Sequence, residues 1–468
     1  MDRATTIGEL RAAGYPDRTI KEELRENLLA RLRAGDELFP GLVGFDDSVL
    51  PAIERGILAG HDLILLGERG QAKTRLVRAL VRLLDDAVPM IAGCEINDHP
   101  YHPICARCRG LVAADPDGVE IRWLPRDDRY AEKLATPDTS VGDLIGDVDP
   151  IKVAEGRSLG DELTIHYGMI PRTHRGIVAI NELPDLPERI QVSLFNILEE
   201  RDVQIRGYRI RLPLDLLLVA TANPDDYTHR GRIVAPLKDR FGTQVRTHYP
   251  ETVAEEILIM GYEAAVPDTG IPVRVPVFMT EIVAALTQEL RRSPHVNHRS
   301  GVSVRYSIGN LETLQASAIR RAARAGEPEA VPRVCDLYAV LMSSEGRVEF
   351  DTIEEGREPE ILARALRTAE LEVFRRRLSG ADLSALLGRF DEGLVLETSD
   401  VTPANELLAA FGDLPGLAKM LARLGVEEES PGVAASALEF ALEGLHLSRR
   451  LNKAGGDGEA RYTAPAGS

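Results

Sequence analysis

The residues of this chain that could do chemistry fall in an ordered series. Leu63, Ile64, Leu65 and Leu66 run into Gly67, Glu68, Arg69, Gly70, Gln71, Ala72, Lys73, Thr74 and Arg75, after which Leu76, Val77, Leu80, Val81 and Leu84 recur at helical spacing. A strand, a tight turn and a helix in that order aim backbone N–H groups at a phosphate. Lys73 can then reach the β- and γ-phosphates of a nucleotide, and the Thr74 hydroxyl can ligate Mg2+. Position 72, ordinarily glycine in such loops, is alanine, so the backbone there must be one that alanine can adopt. A second apolar run, Gly176 to Ile180, ends in Asn181 and Glu182. Glu182 is suited to polarising an attacking water. Asn181 offers only a neutral amide where an aspartate commonly serves Mg2+. A third run, Leu216 to Ala220, leads through Thr221 and Ala222 to Asn223, a candidate for ordering that water beside the γ-phosphate. Downstream lie Arg240, in Pro-Leu-Lys-Asp-Arg-Phe, and Arg305, in Gly-Val-Ser-Val-Arg. A lone arginine in so arginine-rich a chain is ordinarily a salt-bridged surface residue. Following this series, each guanidinium suits the charge that builds on a transferring phosphoryl group.

A separate cluster lies between the first two motifs. Of the four cysteines, Cys94, Cys105 and Cys108 fall within fifteen residues, interleaved with His99 and His102. Cys105-x-x-Cys108 is half of a zinc knuckle, and Cys94 with His102, or His99 in its place, would complete a tetrahedral structural Zn2+ shell. Three reduced thiols on an insert is the alternative. Cys335, in an apolar helical stretch, reads as core.

These groups need elements to position them. From Asp62 to about Pro250, short apolar runs alternate with helical patterns, as buried parallel strands with crossover helices do. The expected fold is α/β, a phosphate-loop core with a parallel sheet. Helical periodicity dominates thereafter, in Thr252 to Ala264, Met279 to Arg292, Leu311 to Ala325 and Glu358 to Leu378. The expected organisation is a helical lead-in (1–40), the α/β core carrying the Cys/His insert (41–250), a helical lid (251–345), a C-terminal helical region (346–453) and a disordered tail (454–468). Hydrophobic residues make up 44% and charged residues 28%, which excludes global disorder. No stretch approaches the roughly 18 apolar residues of a membrane span, and the first 32 residues lack a signal-peptide core, so the chain reads as cytoplasmic. The formal net charge of −18 disfavours a sequence-independent grip on nucleic acid.

The ordered set of Gly67 to Thr74, Asn181-Glu182, Asn223, Arg240 and Arg305 resembles AAA+ ATPases of the MoxR and magnesium-chelatase ATPase-subunit group, over about residues 35 to 345. The stretches Ala135 to Asp149 and Gly168 to Gly176 resemble the chelatase-type lead into the second motif, and Val203 to Leu212 resembles the hairpin before the third. The resemblance implies that Lys73 and Thr74 belong to Walker A, Glu182 to Walker B, Asn223 to sensor 1, Arg240 to the arginine finger and Arg305 to sensor 2. It also implies ATP and Mg2+ as ligands, with Gly67 to Arg75 and Arg305 on the nucleotide and Thr74 and Asn181 on the Mg2+ side. A homo-oligomeric, hexameric ring and a partner protein with a von Willebrand factor A domain follow by resemblance alone. The implied activity is ATP hydrolysis, slowed by Asn181, that remodels or inserts metal into a partner protein. Two alternatives stand beside it: a nucleotide-gated scaffold with weak hydrolysis, and a magnesium chelatase subunit proper, which the long helical extension and the cysteine insert disfavour. No helix-turn-helix or sigma-factor contact loop is legible, which disfavours a transcriptional activator.

Overall fold

The structure is a computed structural model that describes residues 3–154, 162–200, 203–205, 208–210, 212–223, 232–297, 301–351, 356–426, 430–456 and 458–465. The chain divides into two compact units, Met1–His248 and Tyr249–Ser468.

In the first unit the apolar runs form a five-stranded, all-parallel sheet of β1 (Leu63–Leu66), β2 (Tyr130–Leu134), β3 (Gly176–Asn181), β4 (Leu216–Ala222) and β5 (Thr243–Arg246), in the order β5-β1-β4-β3-β2. Every residue of β1, β3 and β4 is buried, because crossover helices cover both faces of such a sheet. The two-residue alternation of a strand splits these side chains between two cores. Leu63, Leu65, Ile177, Ala179, Leu217 and Val219 pack with Leu24, Leu28, Leu76 and Val77 on one face. Ile64, Leu66, Val178, Ile180, Leu218 and Ala220 pack with Leu144, Ile190 and Leu194 on the other. One sheet thus carries two cores, and its carboxyl edge is held by both.

The lead-in forms two helices, Ile7–Ala12 and Ile20–Ala34, the second opened by a capping box from Thr19 and Glu22. Its buried Glu23 takes both guanidinium nitrogens of buried Arg129, at 2.7 and 2.6 Å, so the lead-in is bonded into the core. The expected hairpin is present as Val203–Ile205 paired antiparallel with Tyr208–Ile210. Its turn at 206–207 lies outside the described residues.

In the second unit the main core runs from Met260 to Tyr462 and joins the helices Val277–Arg292, Val304–Ala325, Glu358–Leu378 and Pro431–Leu447, with a small cluster of Ala318, Ala322 and Ala330 beside it. Among the described residues, this main core takes in side chains on both sides of residue 345. The expectation of a disordered tail from residue 454 is corrected. Ala460–Thr463 is the middle strand of an antiparallel sheet, between Leu396–Thr398 and Asn452–Ala454. Tyr462 is fully buried, with its hydroxyl donating to Glu443 at 2.6 Å. A Gly/Ala-rich stretch with one aromatic anchor needs no helical period to be held. Among the described residues, no helix is long and apolar enough to cross a membrane.

Candidate nucleotide site

β1 ends at Leu66, and the loop that follows is pinned on both sides of the sheet edge. The Gly67 N–H donates to the Ala222 carbonyl of β4 at 3.1 Å, and the Thr247 N–H beyond β5 donates to Leu66 at 2.8 Å. Gln71 folds back so that its Oε1 accepts from the Glu68 N–H at 3.0 Å and from the Thr247 hydroxyl at 2.8 Å. A Cβ on Gly67 would lie 1.9 Å from Thr247 Oγ1 and 2.3 Å from Gln71 Oε1, so only glycine fits there. Gly70 and Ala72 both take positive φ, 78° and 53°. Ala72 therefore sits in the left-handed region, a conformation that costs a residue with a Cβ about 1 kcal/mol. The turn ends in the helix Lys73–Ala79. Lys73 is buried, and its ammonium donates to the Gly67 carbonyl and, at 2.8 Å, to that of Glu68, so the cation lies over the loop it would share with a phosphate. Thr74 is half-buried in the first turn, while Arg69 and Arg75 are exposed.

The second and third motifs arrive at the same edge. β3 ends in Asn181, followed by half-buried Glu182, whose φ of 54° turns the chain sharply out of the sheet. β4 leads to buried Asn223. Thr221 ties the two ends together: its hydroxyl accepts from the Glu182 N–H at 3.1 Å and donates to Asn181 Oδ1 at 3.3 Å. β1, β4 and β3 are adjacent and parallel, in registers that bring Leu66 beside Ala222 and Ala220 beside Ile180. The phosphate loop, Asn223 and Asn181-Glu182 consequently share one carboxyl edge, where open α/β sheets bind ligands.

A further residue outside the three motifs joins this edge. The Asn181 amide nitrogen donates at 2.7 Å to Oε1 of Glu132, in the neighbouring strand β2. Glu132 also takes Arg78 Nε at 2.8 Å and Nη2 at 3.1 Å, from the far end of the phosphate-loop helix, and the Tyr130 hydroxyl at 2.8 Å. Burial pushes the Glu132 carboxyl up, but the bonds from Arg78, Tyr130 and Asn181 outweigh it and hold the group below the usual carboxylate range. Both ends of the Asn181 amide are therefore engaged, and a carboxylate does stand beside the amide, one strand over. The alternation of Tyr130, Glu132 and Leu134 on one strand face was the available signal.

Arg240 ends the helix Ala235–Arg240. Its guanidinium, 41% exposed, pairs with Glu199 and lies 5.1 Å from the Phe195 ring centroid. Arg305 opens the helix Val304–Ala325 of the second unit, exposed, its N–H bonded to Ser303 Oγ at 3.0 Å.

The Cys/His cluster is rearranged relative to expectation. Cys94, Cys105 and Cys108 converge, but the fourth donor beside them is Asp98, with all four ligand atoms within 4.8 Å of one another. His102, expected as the fourth ligand, lies outside this quartet. Its side chain is 67% exposed and its Nε2 pairs with Asp17 at 2.7 Å. His99 is buried outside the quartet with Nδ1 accepting from the Tyr101 N–H at 3.1 Å, which leaves the ring proton on Nε2. Asp98, four residues after Cys94, has its N–H bonded to Cys94 Sγ at 3.3 Å, which places its carboxyl with the thiols.

The lead into the second motif owes its order to buried polar groups. His174 Nδ1 accepts from the Asp215 N–H at 2.9 Å, and Arg175 Nη1 donates to the Pro89 carbonyl at 2.5 Å. Burial, then the Arg175 charge, push His174 down to about 3, so the ring is neutral.

Comparison with known proteins adds relatives to this geometry. A family profile described as the Sigma-54 interaction domain matches residues 159–237. The "Magnesium-chelatase subunit ChlI homolog" of Methanocaldococcus jannaschii is 28% identical over 195 residues, 39% of this chain and 47% of that protein. The "Archaeal Lon protease" of Pyrococcus abyssi is 27% identical over 167 residues, 33% of this chain and 16% of that protein. A structure of the complex between subunits BchI and BchD of magnesium chelatase aligns over 67% of this chain and 94% of that chain, with 20% identity and a TM-score of 0.33. Magnesium-chelatase subunits are thus among the sequence relatives of this chain, the group its motif order resembles. The chain spans about half the length of the chelatase relative and far less of the protease.

Proposed function

We propose that the chain is an ATPase of the AAA+ class, of magnesium-chelatase or MoxR type, which binds ATP with Mg2+ in an oligomer and couples the nucleotide cycle to work on a partner protein. The observation that carries the reading is the convergence of the Gly67–Thr74 loop, Asn181-Glu182 and Asn223 on one edge of a parallel sheet. The residues fit the ligands they would take: a loop of two positive-φ residues, a buried lysine over its carbonyls, and a threonine in the first helical turn. Lys73 would meet the β- and γ-phosphates, Thr74 would hold Mg2+ directly, and Asn181 would face its water. Mg2+ would neutralise charge on the phosphate oxygens. Glu182, at the sheet edge, would orient the attacking water and accept its proton, and Asn223 would hold that water in line.

Arg240 would act in trans. Its exposed place at a helix end, over Phe195 of the preceding helix, suits contact with a second copy, and Glu199 would hold the guanidinium until that contact forms. Arg305 would take the nucleotide-sensing role that the family resemblance gives it. A hexameric ring and a von Willebrand factor A domain partner extend the same proposal, as does remodelling or metal insertion as the work performed.

One observation favours a second reading, a nucleotide-gated scaffold with slow turnover: Asn181 is neutral and both ends of its amide are engaged. Steady-state hydrolysis by the purified chain separates the two. Turnover that Glu182→Gln abolishes, with ATP binding retained, supports the ATPase. Tight ATP binding without turnover in the unaltered chain supports the scaffold.

A further inference from the structure

The quartet Cys94, Asp98, Cys105 and Cys108 has no part in the nucleotide site and is built as a closed shell. All four residues are buried, Asp98 and Cys108 completely. Cys105 caps the helix Ala106–Ala114, and its Sγ accepts from the Cys108 N–H at 3.3 Å. Cys94 Sγ accepts from the Asp98 N–H, also at 3.3 Å. Backbone N–H groups aimed at sulfur stabilise thiolates rather than thiols. Arg107 adds positive charge at the rim, its Nη1 lying 3.8 Å from Cys108 Sγ while the guanidinium rests on the Ala92 carbonyl.

Asp98 is the group that a purely apolar account of this core does not explain. Its carboxyl oxygens accept from the Ile104 and Cys105 N–H groups, each at 3.1 Å, and no lysine or arginine pairs with it among the described residues. A fully buried carboxylate facing three sulfurs carries a heavy desolvation cost unless a cation sits among them. The two N–H bonds fix the carboxyl's orientation and leave lone pairs free to ligate, as outer-shell bonds do for a metal ligand.

We propose that Cys94, Cys105, Cys108 and Asp98 bind one Zn2+ in a four-coordinate structural site. Three soft sulfurs and one oxygen, at a spacing a single ion can bridge, suit Zn2+ over the hard cations Mg2+ and Ca2+. With every ligand supplied by protein, the ion leaves no position for water or substrate. Its effect is to staple the end of the strand Ala87–Ile91 to the start of the helix Ala106–Ala114. That helix in turn engages Glu162: Ala106 N–H donates to Oε1 at 2.6 Å and Arg109 to Oε2 at 3.2 Å. The staple thus braces the segment that leads into β3 and Glu182. It stands apart from the proposed ATPase reading and can hold or fail independently.

The test uses the full chain purified under reducing conditions, with metal content measured alongside X-ray absorption at the zinc edge. The expected result is one Zn2+ per chain with three sulfurs at about 2.3 Å, one oxygen at about 2.0–2.2 Å, and no imidazole outer-shell scattering. His102→Ala should leave Zn2+ affinity unchanged. Asp98→Asn should lower it by about tenfold or more, and Asp98→His should recover it with imidazole scattering newly present. Imidazole scattering in the unaltered chain, or four sulfurs around the ion, would overturn the ligand set. Zinc-free protein that takes up neither Zn2+ nor Co2+ would overturn the site, and because the measurement is made on the unaltered chain, a variant that fails to fold does not blunt it.

Discussion

Asn181→Asp looks like a repair, since it restores the carboxylate usual at the end of this strand, but the structure predicts that it damages the protein. The Asn181 amide donates at 2.7 Å to Glu132. In the variant two carboxylates occupy that contact, and at an effective dielectric of about 20 two charges about 3 Å apart repel by roughly 5 kcal/mol. Relaxation to about 5 Å and the Arg78 charge already shared by Glu132 reduce this to roughly 2–3 kcal/mol. That repulsion lifts the upper step of the pair above the usual carboxylate range. A carboxyl pKa raised by folding gives stability that is present at low pH and lost as pH rises through the folded value. Urea unfolding should therefore show Asn181→Asp less stable than the unaltered chain at pH 7.5, with the deficit shrinking by pH 5. Glu132→Gln also loses stability, because Arg78 loses its partner, yet the double variant should recover about 2 kcal/mol relative to the sum of the single changes. An Asn181→Asp protein of full stability at pH 7.5, or a double-mutant cycle that closes to within about 0.5 kcal/mol, would refute the coupling.

Three further outcomes follow from single contacts. Ala72→Gly removes a Cβ from the left-handed region and should raise stability by about 1 kcal/mol, read as a higher denaturation midpoint. His174 is buried neutral with its pKa pushed down to about 3, so the unfolded chain binds the extra proton below about pH 6.5 and acid destabilises the fold. From pH 6.5 to 5 this histidine should cost about 2 kcal/mol, and His174→Asn, which keeps an acceptor for the Asp215 N–H, should flatten the stability–pH curve by that amount. Arg240→Ala should leave ATP affinity unchanged while lowering turnover by about a thousandfold. Full turnover in that variant would remove the inter-subunit arginine from the account.

What could be seen in the sequence was what is local. The phosphate loop declares itself because its chemistry needs contiguous residues between a strand and a helix. β3 and β4 were legible because strands buried on both faces are apolar at every position. The Glu132 contact was hidden because it joins positions 49 residues apart through the adjacency of two parallel strands. Strand order is a property of the whole sheet, and no single run encodes it. Asp98 is not legible as a donor because the Cys/His spacing points to an imidazole, whereas the fold brings a carboxylate to the three sulfurs. Cys94 and Asp98 lie on one turn of backbone, whereas His102 is carried out to Asp17. The last strand escaped notice because pairing with Leu396–Thr398 and Asn452–Ala454 supplies an order that Gly/Ala-rich composition conceals.

The central claim is that a nucleotide triphosphate lies in the turn between Leu66 and Thr74 under the Lys73 ammonium. Isothermal calorimetry of ATP with Mg2+ against the 468-residue chain tests it most directly. The account predicts saturable one-site binding that Lys73→Ala abolishes and that Ala72→Gly preserves. No heat from the unaltered chain, or equal binding by Lys73→Ala, would contradict it.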